Sequence, residues 1–224
     1  MTSIIKAIPF MALTEKQVTY ASTNSYETLN TLNPKTKNIW IVLHGIGYLS
    51  RFFLKYFDAL NPEENYIIAP QAPSKYYLKN QYKHVGASWL TKENTEQEKT
   101  NVLNYLDAVM VSENLPNDKK LIVFGFSQGV SIATRWVASR KLECGHLVLY
   151  AGGIPKELTA TDFDFFSTAK TKVTALVGDQ DEYLTPEVMV GQTKRIEDLF
   201  HRRAESIIFE GEHEIKKELL NQFA

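Results

Sequence analysis

Short β-branched and aliphatic runs alternate with longer helical patterns along the chain. The run Asn38 to Leu43 (NIWIVL) is continuously apolar after its first residue, as expected of a strand buried on both faces. Further strands are predicted at Gln17 to Ser22, Tyr66 to Ala69, Leu121 to Phe124, Leu147 to Tyr150, Val173 to Val177 and Ile207 to Phe209. Val102, Leu103, Leu106, Val109 and Met110 keep helical spacing inside a helix from Thr95 to Glu113. Other helices are predicted from Ser50 to Leu60, just after Ser127, from Pro186 to His201, and from near Glu214 onward. The stretch Gln71 to Gly86, rich in Tyr and Lys, reads as irregular. Strands alternating with helices in this order predict an α/β fold: a mainly parallel sheet covered by helices on both faces.

The 224 residues are expected to form one domain, with residues 1–15 as an N-terminal arm packed on it. Lys6 and Pro9 interrupt the apolar residues of that arm, so it does not read as a leader peptide. No run approaches the roughly 18 to 20 apolar residues of a membrane span. A net charge of -1 provides no basic excess for a phosphate backbone, which argues against a nucleic-acid partner. The single cysteine, Cys144, excludes an internal disulfide and a cysteine-based metal site. It suits a reducing compartment, and a cytoplasmic location is expected.

Chemistry concentrates in Gly125-Phe126-Ser127-Gln128-Gly129, a G-x-S-x-G run between a predicted strand and a predicted helix. A serine on so sharp a turn stands exposed at the carboxyl edge of the sheet, and flanking glycines leave room for neighbouring backbone. The helix that follows points its free N–H groups at the same place. A hydroxyl needs a base, and the base needs an orienting carboxylate. In the α/β-hydrolase order those follow the serine as acid, then histidine. His44 and His84 come too early. His146 opens a strand at the amino edge, and His201 ends a helix, where a cation suits the dipole. His213, in the loop Glu210 to Glu214 after the last strand, is the candidate base. Asp181, in the loop after Val177, is the candidate acid. Asp179 is the weaker alternative for the acid and is expected rather to hold the turn, and Glu182 to be a solvated charge.

Two N–H donors are expected for an oxyanion: Gln128, after the nucleophile, and Ile46, within Gly45-Ile46-Gly47. Trp89 is the candidate substrate-binding residue, with filling of the core as the alternative. Tyr76 and Tyr77 are weaker candidates.

The ordered motifs LHGIG at Leu43, APQAP at Ala69, ASWL at Ala87, GFSQG at Gly125, AGGIP at Ala151, GDQDEYLTP at Gly178 and GEHEI at Gly211 resemble the phospholipase/carboxylesterase family of small α/β-hydrolases, which includes acyl-protein thioesterases. The resemblance implies hydrolysis of carboxylic esters or thioesters without a cofactor. It assigns the triad to Ser127, Asp181 and His213, and the oxyanion donors to Ile46 and Gln128. Val130 stands where the family commonly has a second glycine, and Tyr48 where it commonly has Asp. Both are expected to reshape the mouth. The expected activity is cleavage of small to medium acyl esters. Thioesterase or lysophospholipase activity is the near alternative, and acyl transfer or a non-catalytic binding role the distant ones. No large lid is expected, and a homodimer over the mouth would suit such an enzyme.

Overall fold

The computed structural model describes residues 13–166, 171–201 and 204–224. Among the described residues the strands are β1 (Tyr26–Leu29), β2 (Asn38–Leu43), β3 (Asn65–Pro70), β4 (Ser74–Tyr77), β5 (Val85–Ser88), β6 (Lys120–Phe126), β7 (His146–Tyr150), β8 (Lys172–Gly178) and β9 (Ala204–Phe209). The α-helices among them are α1 (Ser50–Phe53), α2 (Thr95–Glu113), α3 (Gln128–Arg140) and α4 (Pro186–Phe200). Seven strands form one sheet in the order β1-β3-β2-β6-β7-β8-β9, and β4 pairs with β5 in a separate hairpin. All pairs in the large sheet are parallel except β1 against β3.

Strand β2 shows why its residues after Asn38 read as one unbroken apolar run. Ile39, Ile41 and Leu43 enter one core cluster with residues of α2, α3 and α4. Trp40 and Val42 enter a second cluster on the other face, with Phe53, Phe57 and the C-terminal Leu220 and Phe223. Alternation persists, but both faces are apolar because both are covered. The parallel arrangement directs the carboxyl ends of β2, β6, β7, β8 and β9 to one edge. The candidate functional residues lie in the loops that leave it.

Several elements differ from the sequence expectation. Gln17 to Ser22 forms no strand, and Val18 and Tyr20 are exposed. Alternation alone makes no strand without a partner, and Tyr26–Leu29 already occupies the free side of β3. Most of the expected arm of residues 1–15 lies outside the described residues. The helix expected to Leu60 stops at Phe53 and tightens into a 3₁₀ turn over Leu54–Tyr56. Its apolar residues Phe53, Leu54, Phe57 and Leu60 are buried all the same. The stretch expected to be irregular contains the β4–β5 hairpin, whose β4 residues are all exposed and so carry no alternating burial signal. The final helix is a 3₁₀ helix over Lys217–Phe223, and its buried residues Leu220 and Phe223 are three apart, the repeat of that helix. Among the described residues, no helix is long and apolar enough to cross a membrane.

Candidate active site

Strand β6 runs into α3 through Ser127, whose backbone sits at φ 54 and ψ -118, a conformation L-residues rarely adopt. The turn is over-determined. The Ser127 N–H donates to Tyr150 O at 2.9 Å, and Ser127 O accepts from the Val130 N–H at 3.0 Å. A Cβ on Gly125 would lie 2.6 Å from Gly129 O, and one on Gly129 would overlap Leu43 O. Both positions therefore require glycine. The turn aims the serine hydroxyl outward at the sheet's carboxyl edge.

Two further loops meet it there. His213 Nε2 lies 2.9 Å from Ser127 Oγ, and His213 Nδ1 lies 2.7 Å from Asp181 Oδ2. An ionised carboxylate only accepts, so Nδ1 carries the proton and Nε2 is free to accept from the serine hydroxyl. The Asp181 side chain is fully buried. Its Oδ1 accepts from the N–H groups of Tyr183 and Leu184 at 2.8 and 2.9 Å. Every oxygen of that carboxylate therefore has a partner, which offsets the cost of burying it. The His213 loop is anchored at both ends. Asp179 Oδ1 accepts from the Gly211 N–H at 3.0 Å, and Tyr150 Oη accepts from the Lys216 N–H at 2.9 Å. The turn-holding role expected of Asp179 thus extends across two loops. The imidazole itself packs between Phe126 and Tyr183, with centroids at 5.2 and 4.7 Å.

On the other side of Ser127, the loop bearing Ile46 is held rigidly. His44 is fully buried and donates from Nδ1 to Gly45 O at 2.7 Å, while its Nε2 accepts from the Ala72 N–H at 3.1 Å. Burial drives the His44 pKa down to about 4, consistent with this neutral tautomer. The Gly47 N–H donates to Ala87 O at 2.8 Å, tying the loop to β5. Among the described residues, neither the Ile46 N–H nor the Gln128 N–H has a hydrogen-bond partner. Gln128 opens α3, where helix geometry leaves the first N–H groups free.

Trp89 differs from its expected place. It is 0% exposed and presents no surface to a substrate. Its indole N–H donates to His44 O at 2.8 Å, and its ring lies 5.1 Å from the His44 ring. It braces the Ile46 loop from below, the core-filling alternative. The Gln128 side chain adds a link absent from the sequence reading. Its Oε1 accepts from the Trp89 N–H at 2.8 Å, and its Nε2 donates to Leu90 O at 2.8 Å. Gln71 is a second such residue: Oε1 accepts from both the Ser50 N–H and the Ser50 hydroxyl. A polar side chain amid the prolines of APQAP was the available signal.

The two departures from the family pattern also resolve. Val130 is fully buried in the core under Gly152 and does not face the mouth. Tyr48 is half-buried against Phe53 and Phe126, with its hydroxyl 3.2 Å from that of Tyr56. A helical residue turned inward and an aromatic drawn to other aromatics both serve packing. Among the described residues, no three His, Cys, Asp or Glu side chains group as a metal site.

The other histidines stand apart. His84 lies in the β4–β5 turn, and His201 caps α4. His146 opens β7 at the amino edge, buried against Thr174 Oγ1 at 2.8 Å. Burial, with Lys120 and Lys172 nearby, lowers its pKa to about 4. The unfolded chain takes up protons on His44 and His146 near pH 6.5, and the folded chain refuses them until about pH 4. Stability is thus complete above 6.5 and declines as pH falls toward 4, by up to about 3 kcal/mol per histidine. The thermal midpoint of His146→Gln should fall less between pH 6.5 and 4 than that of the wild type. Equal declines would contradict this assignment.

Comparison with known proteins agrees with this architecture. The Phospholipase/Carboxylesterase family model matches residues 24–224. Acyl-protein thioesterase 2 of Zea mays superposes with a TM-score of 0.69 at 14% identity, covering 90% of this chain and 96% of that one. A phospholipase/carboxylesterase from Dyadobacter fermentans gives 0.61 at 18% identity, over 91% and 97%. A carboxylesterase from Mesorhizobium loti gives 0.64 at 14%, over 83% and 87%. No curated protein sequence matches the chain. The structural likenesses carry the α/β-hydrolase fold, and among the described residues no cap domain is added to it. The match over residues 24–224 carries the lineage: the chain belongs to the phospholipase/carboxylesterase family.

Proposed function

We propose that the protein is a serine hydrolase that cleaves carboxylic esters of small to medium acyl groups through an acyl-enzyme on Ser127. The observation that carries this reading is the continuous relay from buried Asp181 through His213 to Ser127, with links of 2.7 and 2.9 Å. Ser127 Oγ attacks the carbonyl carbon as His213 Nε2 takes its proton. The carbonyl oxygen, now anionic, accepts from the Ile46 and Gln128 N–H groups. Collapse of the intermediate breaks the bond to the leaving oxygen, which receives the proton from His213. Water then attacks the acyl-enzyme, giving one proton to His213, and the acid departs as Ser127 is regenerated. Asp181 stays ionised throughout and stabilises the imidazolium.

The test is turnover of p-nitrophenyl acetate. Wild type is expected to hydrolyse it, and Ser127→Ala to lose at least about a thousandfold in kcat. Undiminished turnover in that variant would overturn the proposal. Likeness to the maize acyl-protein thioesterase 2 supports a second reading, a thioesterase with the same relay. Ester and thioester series matched in acyl length separate the two.

A further inference from the structure

The loop bearing Asp181 ends in a side chain with no part in the relay. Tyr183 lies two residues past the acid, and its own N–H donates to Asp181 Oδ1. Its ring meets the His213 ring edge to face, at 71° and 4.7 Å between centroids. Phe126, on the other flank of His213, is buried, whereas Tyr183 is 64% exposed. An exposed aromatic ring is thus left against the imidazole that returns the proton.

The sheet order decides what lies next to it. Strand β7 stands between β6 and β8, so the turn leaving β7 separates Ser127 from the Tyr183 loop. That turn is Gly152-Gly153. Gly152 packs directly on Ser127 O, and Gly153 is exposed. The backbone next to the nucleophile therefore carries no side chain of its own, and the Gln192 amide is the nearest group over Gly153. In acyl transfer the leaving oxygen must sit at His213 Nε2, so the leaving group projects into the space beside that imidazole. An exposed tyrosine ring against that imidazole fits a planar ring better than a flexible alkyl chain.

We infer that Tyr183, exposed and packed on the His213 ring, forms a leaving-group subsite that selects esters of aromatic alcohols. The inference rests on the hydrolase reading and names the alcohol half of its substrate. Tyr183 is a specificity residue in this account, and the relay is complete without its ring.

The test compares benzyl acetate with cyclohexylmethyl acetate, which share carbon count and leaving-oxygen chemistry and differ in aromaticity. Wild type is expected to favour benzyl acetate about fivefold in kcat/KM, the scale of one aromatic pair. Tyr183→Phe should keep that preference, and Tyr183→Leu, which keeps apolar bulk, should bring the ratio close to one. An even ratio in wild type, or an unchanged ratio in Tyr183→Leu, would overturn the inference. Fluorophosphonate labelling of the same preparations separates the two levels. Wild type that takes the label but cleaves neither acetate overturns the subsite alone. Wild type that neither labels nor cleaves overturns the hydrolase reading as well.

Discussion

Asp181→Asn is expected to lower kcat about ten-thousandfold while the protein stays folded. The reason lies in how the two oxygens are used. Oδ1 accepts from the Tyr183 and Leu184 N–H groups, and Oδ2 accepts from His213 Nδ1. An asparagine has one oxygen. If that oxygen keeps the two backbone donors, the NH₂ group faces Nδ1. Nδ1 must then give up its proton and accept, and the proton moves to Nε2. An imidazole protonated at Nε2 has nothing with which to accept from the Ser127 hydroxyl. The loop keeps its bonds, so the thermal midpoint should change little while the reaction stops. Steady-state hydrolysis of p-nitrophenyl acetate and a thermal melt on the same sample check both halves. A variant within tenfold of wild type in kcat would show that Asp181 does not set the tautomer.

Gly129→Ala has the second large effect, and it acts through the backbone. The added Cβ would overlap Leu43 O, and it would lie 2.9 Å from His44 O. These atoms belong to the end of β2 and the start of the Ile46 loop, neither of which is a flexible side-chain tip. Helix α3 must therefore move off the sheet, which carries Ser127 away from His213 and separates Gln128 from Ile46. Backbone overlap of this kind costs about 4 kcal/mol or more. That corresponds to a midpoint lower by roughly 10 °C or more for a chain of this size. Thermal denaturation and esterase turnover should fall together. A variant with normal stability and normal turnover would show that the turn is looser than the contacts around Gly129 imply.

Legibility in the sequence tracked the physical signal each element carries. Strand β2 and helix α2 were readable to their ends because their patterns are long, and because Asn and Pro residues punctuate the flanks. Ser127, Asp181 and His213 were found from a turn motif and from chain order, and the parallel sheet then brings their three loops to one edge. The pairing of β4 with β5 was hidden because β4 is exposed throughout and β5 is mostly buried without alternation, so neither strand displays a burial period. Trp89 was ambiguous for a different reason. Large aromatics near a site serve either as walls or as braces, and only the bond from its indole N–H to His44 O decides between them. The reach of the Gln128 side chain to Trp89 and Leu90 depends on contacts about forty positions apart, which local pattern does not encode.

These braces also explain why the site is rigid where the chemistry needs it. His44, Trp89 and Gln128 join the Ile46 loop, the segment after β5 and the start of α3. Donors for a developing oxyanion are useful only when they are in place before the charge appears. The relay itself is supported separately, through Asp179 and Tyr150.

The central claim is that Ser127 is the nucleophile, and covalent capture tests it most directly. Native protein is treated with a fluorophosphonate, digested and mapped by mass spectrometry. The account predicts one adduct, on Ser127, absent from Ser127→Ala and from protein unfolded before treatment. No adduct on the folded protein, or an adduct on another residue that survives in Ser127→Ala, would contradict it.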